Sequence, residues 1–379
     1  MQEHFYEDMR GITAQALAAV RPEAAVRKAL AAHSFAPGRI RLVAVGKAAW
    51  QMAEAAVGVL GSRVEKGIVI TKYGHSAGPL PGLLCREAAH PVPDQAGFAA
   101  TREALELVSG LGAEDTVLFL LSGGASALFE QPLVEPEELQ SVTGALLACG
   151  CDIAQINTIR KRLSGVKGGR FALRCAPAQV FTVALSDVVG DAVDMIASGP
   201  TCPDSSTCAQ ALEIAEKYAL PLSARGWELL REETPKALPN STVQVTGSVR
   251  QLCAAAAKAA ADRGYRPIIL TDCLTCEARE AGAFLASIAE THRNTGEKLA
   301  FLAGGETVVH LKGSGLGGRN QEIALAAAKG LRGLHAAVFS LGSDGTDGPT
   351  DAAGGYADGD SYDALLSSGI RPETALDSN

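Results

Sequence analysis

The sequence predicts an α/β protein built on an open, mostly parallel sheet, and three observations carry that prediction. Short β-rich runs alternate with longer Ala/Leu/Glu-rich runs of helical period. Most of the β-rich runs are almost continuously apolar, as strands covered by helices on both faces must be. Several of these runs end in a loop of Gly, Ser, Asp, Glu or Lys, where an open parallel sheet presents its ligand crevice.

Two helices come first, over 4–20 and 22–33. Strands are expected at 41–46, 67–71, 116–121, 180–185, 267–271, 299–303 and 336–341. Helices fit between them at 48–60, 97–110, 135–150, 249–264, 278–294 and 321–331. Such an order calls for right-handed crossovers between parallel strands. The segment 232–240, EETPKALPN, has two prolines, polar residues and no apolar period. It is the expected boundary between a domain of residues 1–237 and one of residues 238–379.

Composition narrows the function. The 379 residues suffice for two or three domains with sizeable cores. With 34 basic and 42 acidic side chains the net charge is 34 − 42 = −8, which argues against nucleic acid as the main partner. No run reaches the roughly 18 apolar residues of a membrane span. The first twenty residues carry Glu3, Glu7 and Asp8 and no apolar core, unlike a secretion signal. Nine cysteines, an odd number, fit free thiols in a reducing cytoplasm. Cys273 and Cys276 form a C-x-x-C with no second pair at zinc spacing, so ordinary thiols are the better reading. Oligomeric state is not legible here, and a homo-oligomer stays open.

Five strand-end loops attract attention: Gly46-Lys47-Ala48; Ser122-Gly123-Gly124-Ala125-Ser126; 186–191 with Asp187 and Asp191; Gly304-Gly305-Glu306-Thr307; and 342–348 with Asp344 and Asp347. Small residues let backbone N–H groups approach an anion, and the following helix adds partial positive charge. Carboxylates in the same crevice suit a hard cation such as Mg²⁺ set between protein and phosphates. Lys47 is poorly matched to the positive start of a helix unless an anion lies between. Asp187 and Asp191 could equally be helix caps. Asp344, Asp347 and Asp351 could be turn formers, but three acids so spaced repel one another unless a cation or donors compensate. The basic residues Arg160, Lys161, Arg162, Lys167 and Arg170 read either as a solvated helix face or as charge that holds an anionic substrate. His90, in the doubly proline-bearing 90–94 loop, reads as structural.

Gly313-Ser314-Gly315-Leu316-Gly317-Gly318 matches G-x-G-x-x-G, yet no acid stands about 20 residues on, around His335 to Val338. A glycine loop that delivers Arg319 and Asn320 is the better reading, since the Arg fork suits carboxylate or phosphate.

Taken together, Gly46-Lys47-Ala48-Ala49, Lys72-Tyr73-Gly74-His75, 90–94, 121–127, 162–169, 186–191 with Ser198-Gly199-Pro200-Thr201, 304–307, 317–322 and 344–355 resemble the glycerate 2-kinase, or MOFRL kinase, family. The stretches run in the family's order across nearly the whole chain. The resemblance implies a Rossmann-like three-layer N-terminal domain, a smaller α/β C-terminal MOFRL domain and an active site in the cleft between them. It implies ATP-dependent phosphorylation of D-glycerate to 2-phosphoglycerate with Mg²⁺. Lys47 would neutralise the transferring phosphoryl group, and Arg319 would grip the glycerate carboxylate or that phosphoryl. Ser122, Gly123, Gly124, Ser126, Gly304, Gly305 and Glu306 would cradle ATP phosphates or substrate, with Lys167, Asn320, Asp344 and Asp347 beside them. Asp187, Asp191 and Asp344 would meet the metal, and Asp351 or Asp187 would take the hydroxyl proton. Family chains usually continue past the equivalent of Asn379 into a closing Thr-Gly-Pro-Thr-Gly-Thr-Asn-like segment. The competing expectations are an NAD(P)H-dependent hydroxypyruvate reductase, a label often attached to this family, and a non-catalytic phospho-ligand sensor.

Overall fold

A computed structural model of the chain describes residues 3–185 and 193–378. It divides into two compact units, Val20–Ser248 and Met1–Ala19 with Val249–Asn379. Among the described residues no helix is long and apolar enough to cross a membrane.

The unit Val20–Ser248 is organised by six strands: β1 (Ile40–Val45), β2 (Val64–Lys72), β3 (Leu83–Ala88), β4 (Thr116–Leu121), β5 (Gln179–Leu185) and β6 (Ser241–Thr246). All pair in parallel, in the order β3-β2-β1-β4-β5-β6. Every residue of β1 and of β4 is buried, which is why both read as nearly continuous apolar runs, interrupted only by Arg41 and Thr116. Their side chains alternate between two cores. Val43, Val45 and Phe119 pack with Phe129, Phe171 and the Gln95–Leu107 helix on one face. Leu42, Ala44 and Leu118 pack with the Pro22–Ala32 and Ala49–Leu60 helices on the other. Helices Pro136–Ala148, Ile153–Arg162, Cys208–Lys217 and Ala224–Leu230 form a further cluster.

The other unit holds a parallel pair, β7 (Arg266–Leu274) with β8 (Leu299–Gly305), and an antiparallel pair, β9 (Ala337–Leu341) with β10 (Gly354–Asp358). Its core is alanine-rich: Ala278, Ala281 and Ala286 meet Ala324, Ala327 and Ala328 across two helices. The N-terminal helix belongs here too, through Ile12 against Ala259 and Ala260 and through Tyr265 donating to Asp8 Oδ2 at 2.7 Å.

Two expectations shift. The boundary falls after Ser248 rather than at 237/238, because β6 extends the sheet as a full six-residue ladder beside β5. The strands β3, β6 and β10 were not expected. β3 is an edge strand of alternating burial with Arg86 and Glu87 in it, and β10 opens on two glycines.

Candidate active site

The strand order reverses direction between β1 and β4, so the loops that leave these two strands diverge around a crevice. These are the Gly46-Lys47 loop and the 122–126 loop. Lys47 N–H donates to Gly123 O at 2.9 Å, and Ala48 N–H to Ser122 Oγ at 3.1 Å. Thr71, at the end of β2, donates to Gly46 O at 2.9 Å and closes the floor. Gly46 has φ +121°, and a Cβ there would lie 2.2 Å from Ser122 Oγ, so only glycine permits the approach. The Lys47 side chain is exposed. The helix Ala49–Leu60 that follows has neither a side-chain cap nor an acid in its first turn. A cation and an uncapped positive helix end thus share one corner, which suits an anion.

His90 faces this corner: a Cβ on Gly124 would lie 3.0 Å from its ring and 3.3 Å from Lys47 Cγ. Burial, then the charges of Lys47, Lys72 and His75, lower its pKa. The folded chain therefore holds this proton less tightly than the unfolded chain, and stability falls as pH drops below about 6.5, the ordinary imidazole value. We expect the His90 ring, followed by NMR, to titrate below that value and to move upward when phosphate or ADP screens the lysines. A midpoint at or above the ordinary value would contradict the electropositive corner. The 122–126 loop also lines a cavity of about 180 Å³ with Ile153 and residues 195–197.

Three of the five basic residues are buried rather than on a solvated face. Lys161, Arg162 and Lys167 are 3%, 0% and 0% exposed. Lys167 pairs with Glu130 and donates to Phe129 O; burial pushes its ammonium down to about 8, against the pull of Glu130. Lys161 binds Asp194 and Asp204, and Arg162 donates to Ser206. Arg160 is different, since its Nη2 donates to Ser126 O at 3.2 Å and so braces the loop. The signal was present: consecutive residues on a helix splay by about 100°, so 160–162 cannot share one face.

In the other unit β8 delivers Gly304 and Gly305, and Glu306 N–H donates to Leu274 O at 2.8 Å. Arg319, first residue of the helix Arg319–Leu331, donates from Nη1 to Glu306 Oε1 at 2.5 Å, and both side chains remain about half exposed. Asp347 departs from expectation. Its carboxylate, 2% exposed, accepts from the backbone of Asn320 and Gln321 at 3.0 and 2.9 Å and from both of their side chains. It is the remote cap of this helix, whose own N-cap is Gly318. A Cβ on Gly318 would lie 2.3 Å from Asp347 Cγ. The Asn320 amide is committed too, donating to Asp347 and accepting from Ser340 Oγ at 2.5 Å. Lys167, Asn320 and Asp347 therefore hold the scaffold rather than a ligand. Asp344 and Asp351 stay exposed, and Asp344 Oδ1 accepts from the nearby Thr346 N–H at 3.0 Å. Asp187 and Asp191 lie outside the described residues. The 313–318 glycine motif follows no strand, only an isolated bridge at Val308, so the dinucleotide fingerprint lacks its context. Cys273 and Cys276 are exposed thiols.

The parallel order, with a lysine loop and a glycine–serine loop meeting at the reversal, defines a Rossmann-like α/β protein with a cation and an uncapped helix start at its switch point. Residues 8–231 match the family model described as a domain of unknown function, DUF4147, and residues 299–379 match the MOFRL family. The chain is 50% identical over 375 residues to the D-glycerate 2-kinase of Thermotoga maritima, covering 97% of this chain and 89% of that one. It is 40% identical to the glycerate 2-kinase of Pyrococcus horikoshii, covering 89% and 80%. A crystal structure of glycerate kinase from Thermotoga maritima superposes with a TM-score of 0.95 at 48% identity, covering 100% of this chain and 92% of that one. The chain belongs to the glycerate 2-kinase family.

Proposed function

We propose that this chain transfers the γ-phosphoryl group of ATP to the 2-hydroxyl of D-glycerate and releases 2-phosphoglycerate and ADP. The observation that carries the reading is the meeting of Lys47 with the 122–126 loop at the β1/β4 reversal, in a chain 50% identical to a D-glycerate 2-kinase.

Phosphoryl transfer asks mostly for positioning and charge neutralisation. Lys47 neutralises the transferring group from a backbone fixed by Gly123. Backbone N–H groups of the 122–126 loop, braced by Arg160, hold phosphate oxygens. Arg319 presents its fork to the glycerate carboxylate, and because the 2-hydroxyl is adjacent, that grip selects the reacting oxygen. Glu306 keeps the fork oriented. Asp351, an exposed carboxylate, accepts the hydroxyl proton. Among the described residues no group of three or more His, Cys, Asp or Glu side chains is arranged to hold a metal ion. A Mg²⁺ carried in with ATP would offset phosphate charge, and the exposed Asp344 would supply one carboxylate to hold it.

The test is a coupled assay with ATP, Mg²⁺ and D-glycerate, with phosphorus NMR of the product. The reading requires ADP formation that depends on D-glycerate and a resonance from 2-phosphoglycerate. Oxidation of NADH by hydroxypyruvate without phosphoryl transfer would instead make the chain a reductase, and binding without turnover would make it a sensor.

A further inference from the structure

Next to the small cavity over the 122–126 loop lies a larger one of about 350 Å³, and the two share Met195 in their walls. Its sides are the helices Ile153–Arg162 and Cys208–Lys217. The chemistry of the two hollows is opposite. The loop offers backbone donors and lies beside Lys47. The larger cavity presents the carboxylates of Asp152, Asp194 and Glu213 against Lys161 and Lys217. Lys161, 3% exposed, is already neutralised by Asp194 at 3.1 Å and Asp204 at 3.0 Å. A polyphosphate is repelled by such a lining, whereas a neutral group bearing hydroxyls finds acceptors there.

Two amides add directionality. Gln155 and Gln210 each close a capping box, and their Oε1 atoms accept from Asp152 N–H at 3.3 Å and Thr207 N–H at 2.8 Å. Each amide therefore offers a ligand its NH₂ group, a donor for a ring nitrogen. Met195 and Ile214 add apolar surface for a flat base. The volume falls in the range of small-molecule sites, about 300–1,000 Å³.

We infer that this cavity binds the nucleoside end of ATP, ribose hydroxyls toward the carboxylates and base toward Met195 and the two amides, with the triphosphate passing Met195 to the 122–126 loop. This deepens the kinase reading and rests on it.

Ala154 and Glu213 are exposed positions on the two facing helices. Ala154→Trp and Glu213→Trp fill the cavity without touching the buried ion pairs. Calorimetric titration of wild type and both variants with AMP-PNP and with inorganic tripolyphosphate, alongside steady-state kinetics, reads the effect. AMP-PNP binding is expected to weaken at least 10-fold and KM for ATP to rise equally. Tripolyphosphate binding and KM for D-glycerate should stay within twofold. AMP-PNP binding as tight as wild type in both variants overturns the assignment, and so does a parallel loss of tripolyphosphate binding. Calorimetry needs no turnover, so a wild-type chain that binds AMP-PNP through this cavity but never phosphorylates D-glycerate would refute the kinase reading alone.

Discussion

Lys47→Ala is expected to lower kcat/KM for phosphorylation of D-glycerate at least about 100-fold, roughly 3 kcal/mol, with little change in thermal stability. The separation of the two effects follows from the geometry. The residue's structural work is done by its backbone, which donates to Gly123 O and accepts from the His75 ring, and an alanine keeps both bonds. The side chain is exposed and buries no core surface, so truncation removes only a charge aimed at a charged transition state. Arg319→Ala should lose activity on the same scale, since its ion pair with Glu306 is half exposed and contributes little to folding. Steady-state kinetics together with melting curves check both variants. Near-normal turnover in either refutes that residue's assigned role.

Lys167→Ala is expected to act on stability instead, by about 3–5 kcal/mol. Lys167 and Glu130 are both wholly enclosed and face one another, and Glu130 Oε1 has no hydrogen-bond partner of its own. Removal of the ammonium leaves a carboxylate in the interior with its main counter-charge gone. Denaturant unfolding should show a marked loss for Lys167→Ala, with much of it recovered in the Lys167→Met, Glu130→Gln double variant. The folded fraction of Lys167→Ala should keep KM for ATP and D-glycerate close to wild type. A rise in KM with unchanged stability would restore Lys167 to the substrate and reverse its assignment to the scaffold.

These two lysines show what a local reading of the sequence can and cannot separate. Both stand in glycine-bearing segments near other polar residues, and both match the family's pattern. Lys47 was separable because a cation at a helix start is electrostatically misplaced without an anion, a local argument that needs only the neighbouring residues. Lys167 was not, because its partner Glu130 lies 37 positions away and nothing local says that the two meet inside the core. Asp347 belongs with Lys167: an acid among glycines reads as a turn or ligand residue, and only the fold brings it to a helix start 27 positions earlier.

The same division runs through the whole chain. Period and composition are properties of neighbouring residues, so the alternation of strand and helix, the parallel class of the sheet and the strand-end loops were determined by the amino-acid order alone. Strand order, the placement of β6 inside the first sheet, the interior fate of three of five basic residues and the charge-sorted pair of cavities were decided by the tertiary structure. Each of these depends on which distant segments share one desolvated space, where an unpaired charge is costly and a paired one is tolerated.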